Sequence, residues 1–304
     1  MDQQTIMKGK GKKGEAVLIA GPTASGKSAL ARRLAQERGG MIINADSMQV
    51  YAELSILTAR PSPAEEAELP HRLYGHVGAE RRYSAGAWLA DISAVLAEAR
   101  LAGLVPIIVG GTGLYFKALT EGIALVPPIP ASIREAVAGE AAALPSPILH
   151  QKLAVLDPEG AAHIRPSDPS RIVRALEVVR ATGRPLHLWQ SEASAPLVDL
   201  SLCQTLVLDP PREALYRGIE ARVELMLAQG ALREVTALAR LGLDEKLPAM
   251  RAIGVHPLLE HLAGRMSLEA AGDAIKLETR HYAKRQATWF RHQTPHWTRI
   301  LDLD

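Results

Sequence analysis

Gly21-Pro22-Thr23-Ala24-Ser25-Gly26-Lys27-Ser28 fits the pattern G-x-x-x-x-G-K-[ST] and lies between an apolar run, residues 16–20, and a helix-like segment, residues 29–34. A loop of this kind joins a strand to the N-terminus of a helix, and its backbone N–H groups point at a phosphate bound there. Lys27 adds a positive charge, and the hydroxyl of Ser28 is suited to hold Mg²⁺. The stretch predicts a binding site for a diphosphate or triphosphate.

The loop alone does not decide the chemistry. A P-loop ATPase also needs a second apolar strand that ends in an Asp for Mg²⁺. The later strand, residues 104–109, runs instead into Gly110-Gly111-Thr112-Gly113, a tight turn that opens a helix and carries no carboxylate. Asp46 follows the strand over residues 41–45, at the edge where open parallel sheets bind ligands. From these residues alone, Asp46 is either a catalytic carboxylate or a helix N-cap.

The order of the predicted elements indicates the fold class. Strands and helices alternate from about residue 15 to residue 119, a mostly helical stretch follows the proline-rich residues 126–130, and another apolar strand covers residues 205–208. This pattern predicts an α/β fold, a P-loop NTPase-like core with a parallel sheet flanked by helices and a mostly helical insertion domain. The predicted boundaries are 14–124 and 201–304 for the core, 125–200 for the insertion and 1–13 for a flexible basic tail.

The amino-acid composition excludes several classes of protein. The chain has 304 residues, of which 47% are hydrophobic, enough for a sizeable core. A single cysteine excludes a disulfide framework and a cysteine-based zinc site. No apolar segment suits a membrane span or a secretory signal, so we expect a cytoplasmic protein without a membrane partner. The absence of a heptad seam favours a monomer. Because the net charge is only +2, any RNA site must be local.

Arg222 is a separate indication of an anion site. It falls inside the apolar stripe of a helix predicted over residues 212–229. A guanidinium that points inward stays charged and needs an anionic partner, and its planar fork suits phosphate oxygens. The alternative is a structural salt bridge with a buried carboxylate.

Two basic helices are candidates for RNA binding. In the helical pattern of residues 276–291, basic side chains lie opposite an apolar side, which suits an RNA backbone or a solvated surface equally. In the second helix, Asp168 is predicted as the N-cap and Gly183 as the end. Arg171 and Arg174 then lie beside each other, off the buried stripe, where both can reach one phosphate or base edge.

Six segments together resemble the tRNA dimethylallyltransferase family. They are Gly21–Ser28, Asn44–Tyr51, Thr58–Pro61, Pro70–Leu73, Val109–Tyr115 and Lys284–Arg291. Their order and spacing match over nearly the whole chain, although residues 53–57 replace a usually glycine-rich run and residues 255–257 also depart from the pattern. The resemblance implies a Mg²⁺-dependent bacterial-type transferase. It would move a dimethylallyl group from dimethylallyl pyrophosphate to the exocyclic amine of adenosine at tRNA position 37, 3′ of the anticodon.

The resemblance also implies roles for individual residues. Asp46 would accept the proton of the amine, while Thr23 and Arg222 would bind the pyrophosphate and Ser28 the Mg²⁺. The residues expected to bind pyrophosphate are Gly21, Pro22, Thr23, Ala24, Ser25, Gly26, Lys27, Ser28 and Arg222. The residues expected to bind tRNA are Asp46, Ser47, Met48, Gln49, Ser170, Arg171, Ile172, Val173, Arg174, Arg280, Lys284 and Arg285. The insertion would hold the anticodon arm, and the target base would leave its stack to reach the donor.

Three other classes of protein fit part of the pattern. One is a small-molecule kinase in which Asp46 activates a hydroxyl, and another is a transferase that acts on free adenylate. The insertion and the two basic helices disfavour both, because a small acceptor needs neither. The third is a non-catalytic nucleotide-binding switch or RNA-binding module, in which Asp46 would be dispensable.

Overall fold

The computed structural model of the protein describes residues 16–302, so the tail predicted over residues 1–13 lies outside the described residues. Within them, six strands form one parallel sheet in the order β3-β2-β4-β1-β5-β6. The strands are β1 (Ala16–Ala20), β2 (Gly40–Asn44), β3 (His71–Arg72), β4 (Val105–Gly110), β5 (Cys203–Leu208) and β6 (Thr298–Ile300). The predicted parallel α/β fold is therefore confirmed, with strand boundaries shifted by one or two residues.

The helices complete the architecture. They are α1 (Lys27–Arg38), α2 (Pro63–Glu68), α3 (Ala85–Leu101), α4 (Gly113–Glu121), α5 (Ala131–Ala143), α6 (Ser146–Leu156), α7 (Pro158–Ala162), α8 (Pro169–Thr182), α9 (Leu186–Ser191), α10 (Arg212–Gln229), α11 (Ala231–Ala239), α12 (Val255–Leu262) and α13 (Leu268–Gln293). No helix within residues 16–302 combines the length and the hydrophobicity that a membrane crossing requires.

The central strands are apolar because both of their faces are covered. Every residue of β1 and β2 is buried, which explains why these strands have continuous apolar runs instead of alternating patterns. In register, Ile19 of β1 lies between Val109 of β4 and Leu206 of β5. Helix α1 packs its apolar side, including Leu30 and Leu34, against this part of the sheet. The sheet therefore fixes where β1 ends and the phosphate-binding loop begins.

The chain divides into two compact units. One unit runs to Thr120 and resumes at Leu197, so it contains the sheet, and the other is Glu121–Pro196. The second unit is helical, with α5 to α9 around an apolar cluster that includes Leu153, Ile172 and Leu176. In that unit, Glu140 accepts hydrogen bonds from the side chains of Arg180 and Lys152, and these bonds lower the pKa of Glu140 to about 2.

The turn after β4 needs glycine because other residues pack directly on its backbone. A Cβ on Gly110 would overlap the backbone carbonyl of Ala45, and one on Gly111 would overlap the side-chain amide of Gln286. A Cβ on Gly113 would overlap the ring of Trp289 in α13. As predicted, helix α4 opens directly from this turn, at Gly113. The glycines therefore let the ends of β2 and β4 and the side chains of α13 meet without a gap.

Replacing Gly110 by Ala tests this packing. Overpacking of this kind costs about 1–3 kcal/mol, and the backbone carbonyl of Ala45 cannot move aside without distorting β2, so we expect a loss near the upper end of that range. Gly139→Ala is the matched control, since Gly139 lies in α5 and a Cβ there meets nothing within 4 Å. Urea denaturation of both variants measures the free energy of unfolding. Equal stability of the two variants would contradict the packing argument.

Candidate active site

A cavity of about 290 Å³ brings together three residues that are distant in sequence, namely Thr23 after β1, Asp46 after β2 and Arg222 on α10. Because Thr23 and Asp46 follow parallel strands, they lie at the carboxyl edge of the sheet, where ligands bind in open α/β folds. The other lining residues are Ser47, Met48, Leu57, Thr58, Val223, Met226, Arg251, Ala252, Ile253, Ile275, Thr279, Tyr282 and Arg285. The cavity therefore combines charged groups with an apolar wall.

The phosphate-binding loop reaches α1 through left-handed backbone. Gly26 has φ 86° directly before Lys27, the first residue of α1, and Ala24 has φ 62° although it is not glycine. A non-glycine residue in this region carries a conformational cost that is most often found at functional sites. Thr23 lines the cavity with Asp46, whereas Ala24, Ser25 and Gly26 line a neighbouring cavity of about 490 Å³. The loop thus borders two cavities at once.

Lys27 is held inside the loop. Its ammonium donates a hydrogen bond to the carbonyl of Pro22, with Nζ and O 3.1 Å apart. Burial lowers the pKa of Lys27 to about 8, the negative charge of Asp46 opposes this shift, and the positive charge of Arg222 adds to it. A bound anion would offset the burial and hold the lysine in its charged form. The loop is therefore arranged for an anionic ligand, as the motif predicts.

Asp46 is not a helix N-cap. No helix begins in residues 46–62, and the next one, α2, starts at Pro63. The carboxylate instead accepts a hydrogen bond from the N–H of Met48, with Oδ1 and N 2.9 Å apart. The fully buried Asn44 fixes the backbone at Asp46, because its side chain accepts from the N–H of Asp46 and donates to its carbonyl. The carboxylate is oriented in a loop on the wall of the cavity.

Arg222 lies in the apolar stripe of α10, as predicted, and it is half-buried. Within residues 16–302 it forms no ion pair, and Nη2 donates to the carbonyl of Thr58 at 3.2 Å. Burial lowers the pKa of Arg222, and the charge of Asp46 partly reverses that shift. The alternative of a salt bridge with a buried carboxylate is not found in the described part of the chain. Arg222 remains available to a phosphate.

Gln286 on α13 is a site residue that we did not predict as one. Its Oε1 accepts from the N–H of Thr23 and its Nε2 donates to the carbonyl of Gly111, both at 2.9 Å. The N–H of Thr23 therefore points at this amide, although the motif predicts loop N–H groups that point at phosphate. Gln286 lies within the segment 284–291 that supports the family resemblance, but nothing in that segment indicates which partners it bonds.

The cavity lining contains further residues that the sequence did not single out. Arg251, the last residue of a 3₁₀ turn, adds a guanidinium, and Tyr282 adds a phenol from α13. Burial, with the charge of Asp46 as a smaller cause, raises the pKa of Tyr282, so the phenol is neutral at ordinary pH. Helical periodicity does place Tyr282 on the apolar side of α13. Periodicity alone, however, does not separate a cavity wall from the core.

The three residues that follow Asp46 have different surroundings. Ser47 and Met48 line the cavity, and the N–H of Ser47 donates to the hydroxyl of Thr112 at 2.9 Å. Gln49 does not line the cavity. Its Nε2 donates to the carbonyls of Thr58 and Ala59, at 2.8 and 3.1 Å, so Gln49 ties together two loops instead of projecting towards a base.

Helix α13 distributes its basic residues differently from the prediction. Arg280 forms an ion pair with Glu220 of α10 and lies over the ring of Tyr216, with 5.3 Å between the guanidinium carbon and the ring centroid. Its charge is therefore neutralised within the protein, which disfavours the predicted contact with tRNA. Lys284 and Arg285 are exposed, and Arg285 also lines the cavity.

Helix α8 has the predicted N-cap, because the Asp168 carboxylate accepts from the N–H of Arg171. The side chains of Arg171 and Arg174 are 75% and 45% exposed, and their ion pairs within residues 16–302 are local, with Asp168 and Glu177, each three residues away. Ser170 is exposed and Val173 is half-buried. Ile172, also expected at the tRNA, is fully buried in the core of the helical unit, so its side chain cannot contact RNA.

Ser28 is the residue that the sequence predicts as a Mg²⁺ ligand. Within residues 16–302, no group of three His, Cys, Asp or Glu side chains is placed to hold a metal ion. Ser28 is exposed and lines a third, small cavity of about 60 Å³, away from the lining that Asp46 shares with Thr23. One hydroxyl fits Mg²⁺ when waters and substrate phosphate oxygens supply the other ligands, which is the usual arrangement for this ion.

The chain is similar to known sequences over most of its length. The sequence model of the IPP transferase family matches residues 49–293. A tRNA dimethylallyltransferase of Rhodopseudomonas palustris (strain ATCC BAA-98 / CGA009) is 55% identical over 296 residues, which are 97% of this chain and 92% of the relative. One from strain BisA53 is 57% identical over 282 residues, which are 92% of this chain and 86% of the relative.

Solved structures are similar over the same length. The full-length tRNA isopentenylpyrophosphate transferase of Bacillus halodurans has a TM-score of 0.67 at 32% identity, and the match covers 96% of this chain and 92% of that one. A eukaryotic dimethylallyltransferase acting on tRNA has a TM-score of 0.75 at 28% identity, with 90% of this chain and 69% of that one covered.

The lowered pKa of Lys27 predicts how anion binding depends on pH. The ammonium is charged below about pH 8 and neutral above it, so affinity for inorganic pyrophosphate should fall as pH rises. The variant Lys27→Arg keeps its charge over this pH range. Comparison with it therefore corrects the wild-type affinities for the change in ionisation of pyrophosphate itself. We expect affinity relative to this variant to fall about tenfold between pH 7 and pH 9, measured by titration calorimetry. A constant ratio would mean that Lys27 does not bind the anion.

Proposed function

This chain belongs to the IPP transferase family, and from that premise we propose that it transfers the dimethylallyl group of dimethylallyl pyrophosphate to the exocyclic amine of adenosine 37 in tRNA. The observation that carries the proposal is one cavity whose lining combines Thr23, Asp46 and Arg222 with a group of apolar side chains. A phosphate-binding loop beside an apolar wall suits a donor with a pyrophosphate head and a hydrocarbon tail.

The loop and its cations act on the leaving group. Pyrophosphate departs with the electron pair of the bond between the allylic carbon and the bridging oxygen, so negative charge grows on its oxygens. Lys27 and Arg222 are positioned to stabilise that charge more strongly in the transition state than in the bound donor. A Mg²⁺ ion held by Ser28 and the pyrophosphate would supply further neutralisation of the leaving group. No carboxylate has to orient an attacking water.

Asp46 acts on the nucleophile. The exocyclic amine of adenosine is a weak nucleophile because its lone pair is delocalised into the ring, so a base that takes its proton lowers the barrier. In the described structure, the N–H of Met48 occupies Oδ1 of Asp46, and we assign the proton to Oδ2. The new bond joins the amine nitrogen to the allylic carbon, the carbon–oxygen bond breaks, and the proton passes to Asp46.

The apolar wall protects the donor from water. Val223, Met226 and Ile275 are buried and contribute to the cavity lining. An allylic carbon with a departing pyrophosphate reacts readily with water, so a dry site favours transfer over hydrolysis. This wall distinguishes the proposed transferase from a small-molecule kinase, whose acceptor would present hydroxyl groups that need polar partners.

Replacement of Asp46 by Asn tests the mechanism and the function together. Radiolabelled dimethylallyl pyrophosphate is supplied with Mg²⁺ to unmodified tRNA that carries adenosine after the anticodon, and in parallel to free adenylate. We expect label in the tRNA with wild-type protein and a loss of about 10²- to 10⁴-fold in turnover with Asp46→Asn. Label in adenylate alone, or ATP hydrolysis without any transfer, would contradict the proposed function.

The control for Asp46→Asn is Asp209→Asn. Asp209 follows β5 at the same edge of the sheet, where its carboxylate lies 4.0 Å from Arg299 and does not line the cavity. Turnover should remain within a few-fold of wild type in this variant. Equal losses in both variants would indicate a general effect of removing charge at this edge, and Asp46 would then not be the base.

The helical unit is the proposed binding surface for the anticodon arm, with Arg171 and Arg174 as phosphate contacts. Arg171→Ala and Arg174→Ala should each weaken tRNA binding and lower the slope of log affinity against log salt by about 0.7–0.9. Affinity for dimethylallyl pyrophosphate should not change. Arg134→Ala removes one exposed charge from α5 of the same unit and serves as the control. If all three variants behave alike in a salt titration, only net charge matters and no specific contact exists.

A further inference from the structure

The apolar part of the catalytic cavity's lining contains a residue from the segment that departs from the family pattern. Its apolar residues include Leu57, Val223, Met226, Ala252, Ile253 and Ile275. We propose that Leu57 limits the length of the prenyl group that the enzyme accepts and thereby selects a five-carbon donor. This proposal rests on the proposed function, because it assigns these apolar residues to the allyl group of the donor.

The side chain of Leu57 is buried and lies close to the backbone of a neighbouring turn. It is 8% exposed and packs against the backbone at Gly254, where a Cβ would lie 2.8 Å from Leu57 Cδ2 and 3.5 Å from Ile275 Cδ1. Gly254 has φ 98°, a left-handed conformation that favours glycine. A longer prenyl chain would therefore meet a side chain that is already packed against the backbone at Gly254.

The backbone that carries Leu57 is fixed from one side by Glu234 of α11. The carboxylate accepts from the N–H of Ser55 and Ile56 through Oε2, both at 2.7 Å, and from the N–H of Leu57 through Oε1 at 2.9 Å. The Ser55 hydroxyl also donates to Oε2, at 2.9 Å. Hydrogen bonds to a charged acceptor are stronger than neutral ones, so this loop is rigidly held.

The next residue fixes the loop from the other side. The carbonyl of Thr58 accepts hydrogen bonds from Arg222 Nη2 at 3.2 Å and from Gln49 Nε2 at 2.8 Å. Leu57 thus lies between two anchored residues. A rigid wall cannot relax to admit extra volume, and close-packed interiors resist even a single added methylene.

Donor and acceptor share the volume of the cavity. The cavity of about 290 Å³ has to hold the prenyl group and, during transfer, the edge of the adenine that carries the amine. A ten-carbon geranyl group adds a second isoprene unit to the five carbons of the dimethylallyl group. A single methylene in an apolar pocket changes selectivity by about 10- to 200-fold, so a residue that blocks several carbons can determine donor choice.

Leu57→Ala is the test, and binding is measured without tRNA so that no transfer occurs. Titration calorimetry compares dimethylallyl pyrophosphate with geranyl pyrophosphate for wild type, Leu57→Ala and Leu57→Val. We expect the preference for the five-carbon donor to fall by about 10- to 100-fold in Leu57→Ala and by less in Leu57→Val, following the volume removed. Both donors have the same pyrophosphate head. Damage to the phosphate-binding loop would therefore change both affinities equally and leave their ratio unchanged.

Ile56→Ala is the matched control. Ile56 is the preceding residue, bonds to the same carboxylate through its N–H and packs on the core, but does not line the cavity. Its donor preference should match wild type. An unchanged ratio in folded Leu57→Ala, or an equal shift in Ile56→Ala, would overturn the proposal. Because the assay needs no acceptor, failure of tRNA transfer would contradict the proposed function without affecting this result.

Discussion

The side-chain amide of Gln286 joins three parts of the molecule on which the site depends. Through two hydrogen bonds of 2.9 Å it holds the phosphate-binding loop at Thr23 and the turn after β4 at Gly111 against helix α13. An amide can donate and accept at once, so one side chain satisfies both groups. The glycine at position 111 allows this close approach. Tyr282, one turn earlier on α13, is brought to the cavity by the same docking of the helix.

The cavity beside these contacts combines charged groups with apolar side chains. Asp46 provides negative charge among Lys27 and Arg222, and each of these two cations has its pKa lowered by burial. Buried cations that are not neutralised by the protein favour an anionic ligand. The cavity lining also contains apolar side chains, and Glu234 and Arg222 anchor the loop that carries one of them, Leu57. The charged and the apolar residues match the two ends of an allylic pyrophosphate.

Much of the fold and part of the site could be predicted from sequence because they depend on local patterns. The buried runs of β1 and β2, the loop at residues 21–28 and the capped helix α8 are recognisable in this way. Contacts between distant segments could not be predicted. No local pattern indicates that Glu220 neutralises Arg280 or that Glu234 holds residues 55–57. Ile172 belongs to a motif expected at tRNA, yet its position in the helix directs it inward.

The bond between Thr23 and Gln286 spans 263 residues of sequence, which has a consequence for biosynthesis. The loop and the first strands are translated long before the helix that clamps them. Contacts this distant in sequence form late and slow the folding of a domain. A nascent chain therefore carries an incompletely assembled site until helix α13 has been synthesised.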